Sequence, residues 1–208
     1  MKKTENRNQP GEDEDKQVTR PDEPVQPESI YYATGYTSLY SRIKDEIIDT
    51  STEAEAGVFA DSHKKAGSGN YLEAAQSIKS LALSGNVYAQ MLLYEYYNRL
   101  DQSKEAIMWL QRASKKHHPF ADFLLGAAYI ANSEGLGRTV AEGQALLVKG
   151  AKKGLVDAQY VLGMWGINSY RKSGDQRQYD MGVRMLRMAA KQNYQPAISM
   201  LKGLGAYP

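Results

Sequence analysis

The chain has 208 residues, a net charge of +2 and no cysteine. The missing cysteine excludes disulfides, thiol nucleophiles and thiolate metal sites, and the near-balanced charge gives no reason to expect nucleic acid or an anionic membrane as partner. No apolar run approaches the length of a membrane span, and a composition rich in Ala, Leu, Met, Gln, Lys and Glu favours helix over strand.

Residues 1–28 hold only Met1, Val18 and Val25 as sizeable apolar side chains, together with Pro10, Pro21, Pro24 and Pro27. Five Lys/Arg stand against eight Asp/Glu there, a net of −3 that leaves +5 for the remainder. Such a stretch buries too little surface to offset its chain entropy, so residues 1–29 are expected to be a disordered acidic, proline-rich tether. Lys2 and Lys3 resemble the start of a signal peptide, but a polar run follows them. Two settings are then open: a cytosolic protein, or one whose targeting segment is missing from this sequence, since the composition also resembles the spacer that follows a lipid anchor.

Composition changes at Ile30. Tyr31, Tyr32, Tyr36 and Tyr40 crowd together, and Leu39, Ile43 and Ile47 recur at i, i+4, i+8. Residues 30–52 are expected to form an N-terminal cap helix. Val58, Phe59, Ala66 and Ala74 then outline a helical hairpin.

From there the chain repeats. The segments "SLALSGNVYAQMLLYEYY", "RASKKHHPFADFLLGAAY", "KGAKKGLVDAQYVLGMWG" and "MAAKQNYQPAISMLKGLG" align in register. One column reads Ala82, Ser114, Ala151, Ala190, with spacings of 32, 37 and 39 residues. Further columns read Gly85, His117, Gly154, Asn193; then Ala89, Ala121, Ala158, Ala197; then Leu93, Leu125, Leu162, Leu201. Upstream lie Ile78, Leu110, Leu147, Leu186 and Ala74, Ala106, Gly143, Gly182. This period is that of stacked helix-turn-helix units. Small residues mark close helix approach and leucines fill the layer between. The column of Gly85, His117, Gly154 and Asn193 predicts left-handed residues that close helices. Pro119 and Pro196 suit the first turn of the helix that follows. "TVAE" at 139–142 and "NYLE" at 70–73 predict N-terminal capping boxes. About ten helices are expected, as an all-α solenoid over 53–208.

These Ala, Gly and Leu-Gly columns, with "EAIMWLQRAS" leading into "HHPFADFLLGAAY", resemble Sel-1-like repeats, which are relatives of the tetratricopeptide repeat. The resemblance covers Tyr71 to Gly205, with departures at Tyr94, Lys202 and Gly166. It implies a right-handed α-α superhelix that acts as an adaptor holding a protein partner on its inner surface. Some bacterial members of the family are immunity proteins that neutralise secreted effectors, often as periplasmic lipoproteins. The resemblance therefore implies a non-enzymatic protein binder. It leaves two settings open, a periplasmic immunity or inhibitor protein facing a secreted effector or toxin, and a cytosolic scaffold that assembles enzymes.

Counted from the repeating Ala column (Ala89, Ala121, Ala158, Ala197), positions −1, +2, +6, +9 and +10 share the helix side opposite the packing columns. They predict a partner-binding band of Tyr88, Met91 and Glu95, then Phe120, Phe123 and Ile130, then Tyr160, Met164 and Ile167. Asp157 falls at −1 in the third unit. Aromatic and Met side chains are favoured anchors at protein interfaces. The same spacing also fits packing between adjacent units, or a groove filled by the chain's own Tyr-rich stretch 31–40.

Chemistry finds little footing. His117 and His118 are adjacent and cannot share one metal from one helix face, and His63 sits in the polar "DSHKK". "AGSGN" and "SEGLGR" lack the Lys-Ser/Thr ending of a phosphate loop. Carboxylate pairs such as Asp45 and Glu46, or Glu53 and Glu55, have no apolar surroundings to raise a pKa. The Lys pairs at 115–116 and 152–153 sit where cations complement helix C-termini. No catalytic residue, metal or cofactor is expected, and a hydrolase built on the repeats has no support in the sequence.

Overall fold

The computed structural model describes residues 38–131 and 137–207. The expected tether, and Tyr31, Tyr32 and Tyr36 with it, lie outside the described residues. Among the described residues ten helices follow one another: α1 (Leu39–Thr50), α2 (Glu53–Gly67), α3 (Tyr71–Leu83), α4 (Val87–Arg99), α5 (Ser103–Ser114), α6 (Pro119–Ala131), α7 (Val140–Lys152), α8 (Val156–Ser173), α9 (Gln176–Ala190) and α10 (Gln195–Gly203). Each packs on the next, as helical hairpins stacked into a solenoid. One extensive pairing breaks the order: α1 lies against α4.

The helix-ending column behaves as its composition dictates. Gly85, His117, Gly154 and Asn193 all have positive φ, at 97°, 58°, 89° and 60°. At Gly154 the N–H returns to Ala151 O and the next N–H, of Leu155, returns to Gly150 O. This pair of bonds satisfies carbonyls that the helix end would orphan. Gly69 and Asp101 repeat the device between other helices.

That device corrects one expected cap. Thr139 forms its box with Glu142, but Asn70 makes no side-chain cap. Asn70 is the residue after the left-handed Gly69, and its N–H is already bonded to Lys65 O at 3.0 Å. Its backbone is held at φ −82°, ψ 58°, away from the extended geometry a capping side chain requires. Capping boxes stand instead at Ser38/Ser41 and Thr52/Glu55.

The joints within hairpins depend on glycine. A Cβ on Gly143 would lie 2.6 Å from Gly126 O, so α6 and α7 touch backbone to backbone. Gly182 makes the same contact with α8, 2.8 Å from Gly163 O. A buried polar staple recurs one residue after the Ala column. Gln90 donates to Ala82 O at 2.9 Å and Gln159 to Ala151 O at 3.2 Å. In the middle unit the chemistry is inverted, and Ser114 Oγ donates to Asp122 Oδ1 at 2.6 Å. Each staple ties the start of one helix to the last turn of its predecessor and gives a buried helix-end group a side-chain partner.

Candidate functional site: an inner groove and the helix that lies in it

The face built by α4, α6 and α8 carries α1. Ser38 caps this helix, and Leu39, Tyr40, Ile43 and Ile47 form its buried stripe. Residues 30–52 were expected to cap the stack. Their described part, α1, lies on the face built by α4, α6 and α8, where its polar edge finds partners on three successive repeats. Leu39 N–H donates to Glu95 Oε1 of α4 at 3.2 Å. Glu46 meets His118, just ahead of α6, at 3.1 Å. Arg42 reaches α8 and donates to Asp157 Oδ2 at 2.8 Å, with its guanidinium 4.7 Å above the Phe120 ring. Tyr40 stacks on His63 of α2, ring centres 4.2 Å apart.

The electrostatics follow from this seating. The hydrogen bond from His118 holds the Glu46 carboxyl below the usual carboxylate range, outweighing its partial burial, and Arg42 adds to the effect. Tyr88 is hydrogen-bonded to the same carboxylate and packs edge-on to His118 at 5.5 Å; burial and Glu46 push its hydroxyl up. Burial, with Lys44 nearby, pushes His63 down.

The predicted binding band divides in three. Met91, Phe120, Phe123 and Ile167 are core, none more than 2% exposed. In this structure they are buried and not open to a partner. Phe120 and Phe123 stack on each other, with Arg42 covering Phe120. Ile167 fills the space that Gly182 leaves open, its Cδ1 3.1 Å from where a Cβ would stand. Ile130, half-buried, does the same at Gly143. The +9 position therefore belongs to the hairpin joint and not to the groove. Tyr88 and Glu95 face the groove but hold α1. Tyr160 and Met164 remain half-buried on α8, Tyr160 edge-on to Tyr194 at 5.3 Å, with burial raising its hydroxyl pKa.

Arg42 escaped the sequence reading, and Glu46 entered it only as half of a carboxylate pair without apolar surroundings. The signal available was their i, i+4 spacing along one edge of the Leu39, Ile43, Ile47 stripe, joined to the acidic Asp157 at a groove position. The remaining histidine, His117, closes α5, accepts from Lys153 through its carbonyl at 2.7 Å and lies 3.4 Å from Lys149 Nζ. Among the described residues no three His, Asp or Glu side chains gather as metal ligands would, and no helix is long and apolar enough to cross a membrane.

No protein-family model matches the sequence, and the comparison with curated proteins gives no match. Among solved structures, the chain is similar to a protective antigen present in uropathogenic Escherichia coli strains that displays an SLR fold, at 17% identity and a TM-score of 0.45. The match covers 88% of this chain and 49% of that one, so this chain spans about half its length.

Proposed function

We propose that the chain is a non-enzymatic protein-binding solenoid of Sel-1-like type, and that α1 is the resident occupant of a groove that a partner enters by extending or replacing it. The observation that carries the reading is how α1 is held. An amphipathic helix lies on α4, α6 and α8 through one apolar stripe and ionic contacts to separate repeats. A surface that takes this helix has the chemistry to take another of the same kind. Beyond α1, Tyr160 and Met164 supply further half-buried apolar surface on α8.

Affinity capture with the full chain, followed by hydrogen exchange on the complex, tests the reading. New protection on α4, α6 and α8 is expected. Met164→Asp should weaken capture where the partner extends α1, and Arg42→Ala should strengthen it where the partner replaces α1. A partner indifferent to both changes, or catalytic turnover lost on mutating a polar residue, would count against it.

The finer reading is a secreted effector or toxin as partner, with this chain as its periplasmic immunity or inhibitor protein. The acidic, proline-rich residues 1–28 support it, since that composition suits a spacer behind a lipid anchor. A neighbouring reading frame for a secreted lipase, nuclease or peptidoglycan hydrolase is expected. Cytosolic enzymes as the captured partners would point to the scaffold role.

A further inference from the structure

A second apolar groove lies on the other side of the stack. It is a cleft of about 580 Å³ between α7 and α9, floored by α8. Val148, Leu162, Trp165, Met181, Met185 and Met188 line its middle, and polar groups such as Gln144 and Lys152 stand at its ends. Three of its side chains are exposed large hydrophobics: Val148 at 38%, Met181 at 46% and Met188 at 38%. On α8, the floor residues point about 130° round the helix from Asp157, where α1 is anchored. The cleft is thus separate from the inner groove and does not depend on that groove having a partner.

The charge around it is mainly positive. No carboxylate lines the cleft, whereas Lys152 does. On α9, Arg177, Arg184 and Lys191 flank the stripe of Met181, Met185 and Met188 on its outer side. Residues 137–207 carry eleven Lys/Arg against four Asp/Glu. Of those four, Asp157 is engaged by Arg42, Glu142 by Arg138 and Asp175 by Arg177; the fourth, Asp180, accepts from Gln176 at 3.0 Å and stands among Arg184 and Lys191 on the outer side of α9. The walls run from Gln144 to Lys152 and from Gln178 to Met188, about 12 and 15 Å of helix, or two to three turns. Met side chains repack around varied apolar partners. The chain's own acidic residues 1–28 are a poor match, with only three sizeable apolar side chains to offer.

We infer that this cleft is a docking site for a short acidic amphipathic helix of a partner protein, its apolar face on the Met and Trp side chains and its carboxylates toward Lys152, Arg184 and Lys191. The test uses the full chain with methyl-labelled methionine and a 14-residue probe peptide, with Leu at i, i+3, i+7 and Glu on the opposite face. The methyl signals of Met181, Met185 and Met188 should shift on titration, and those of Met91 and Met164 should not. A Lys-for-Glu version and a scrambled acidic version should bind at least tenfold more weakly. Met181→Glu with Met188→Glu should abolish the shift of the remaining Met185 signal while leaving the melting temperature unchanged, since both replaced side chains are already exposed. Equal binding of the Lys peptide, or shifts centred on Met91 and Met164, overturns the proposal. So does concentration-dependent self-association that moves the same methyl signals. Because the chain has no cysteine, a nitroxide on Thr19→Cys reports on the tail: broadening of Met181 and Met188 would make the chain's own N-terminus the occupant and also overturn it.

Discussion

Arg42 and Asp157 lie 115 positions apart and meet at 2.8 Å, with Asp157 only 2% exposed and Arg42 at 15%. Removing one partner of such a pair leaves a buried charge uncompensated, at a cost of about 3–5 kcal/mol. Arg42→Ala need not unfold the solenoid, because α1 can lift off and let water reach Asp157. The loss then appears as local opening. Hydrogen exchange at the Ile43 and Ile47 amides should accelerate about 100-fold, the equivalent of roughly 3 kcal/mol, while the α5 and α6 amides stay protected. Asp157→Asn retains an acceptor and should cost less. Strict additivity in the Arg42→Ala, Asp157→Asn double-mutant cycle would show that the two side chains do not interact in solution.

Glu46 makes the same docking sensitive to acid. His118 and Arg42 hold its carboxyl below the ordinary value of 4.5. A depressed folded-state pKa contributes stability that is fully present above the unfolded value and is lost as pH falls through the folded one. The α1 helix should therefore loosen below about pH 4.5, the window that the depressed Glu46 pKa sets. Tyr88 ring signals and Ile43 amide exchange read this directly. Glu46→Gln should flatten the acid limb and leave α1 less protected at neutral pH; an acid limb identical in the variant would assign the effect elsewhere.

Arg42, Glu46 and Asp157 are residues that periodicity could not pair, whereas the repeat itself was readable. Gly85, His117, Gly154 and Asn193 sat in one column because the backbone there needs positive φ, and few residue types accept it. The small residues at 143 and 182 were readable because nothing larger fits. The site was legible only in part. Helical spacing shows that Phe120, Phe123 and Tyr160 share a side, but not whether another segment of the same chain will cover that side. Asn70 failed as a cap for a related reason: its side-chain type was right, but the turn before it had already set its backbone.

Close approach of glycines gives a sharper test of the hairpin joints. Gly143→Ala and Gly182→Ala each place a methyl under 3 Å from an opposing carbonyl, which the backbones can relieve only by separating. Each should cost about 1–3 kcal/mol in urea denaturation, in the range of overpacked cores. Gly150→Ala is the control. Its Cβ meets nothing closer than 3.4 Å, and helix propensity favours Ala by up to about 1 kcal/mol, so it should be neutral or stabilising. Equal loss at all three positions would remove the argument for backbone contact.

Phe123 and Met164 separate core from groove. Phe123 is 0% exposed, and its replacement by Ser should cost at least the roughly 3–5 kcal/mol of a large-to-small core change. Met164 is half-buried, and Met164→Ser should lower the melting temperature far less. Parallel melts of the two variants decide the matter: a mild effect of Phe123→Ser would return that residue to the binding surface.

His117 occupies a left-handed position, φ 58°, without glycine's freedom. The conformation costs an ordinary residue about 1–2 kcal/mol, and part of that strain is offset by greater order in the unfolded chain. His117→Gly should be modestly stabilising, though it forfeits the contact with Lys149 at 3.4 Å. Gly154 supplies the converse at φ 89°, where an added Cβ would meet nothing within 4 Å. Any loss in Gly154→Ala must then come from backbone conformation alone, and about 1–2 kcal/mol is expected. Opposite signs at these two aligned positions, read from urea midpoints at constant slope, would show that one turn geometry closes the helix in both repeats. A neutral Gly154→Ala would mean that the turn relaxes to another conformation.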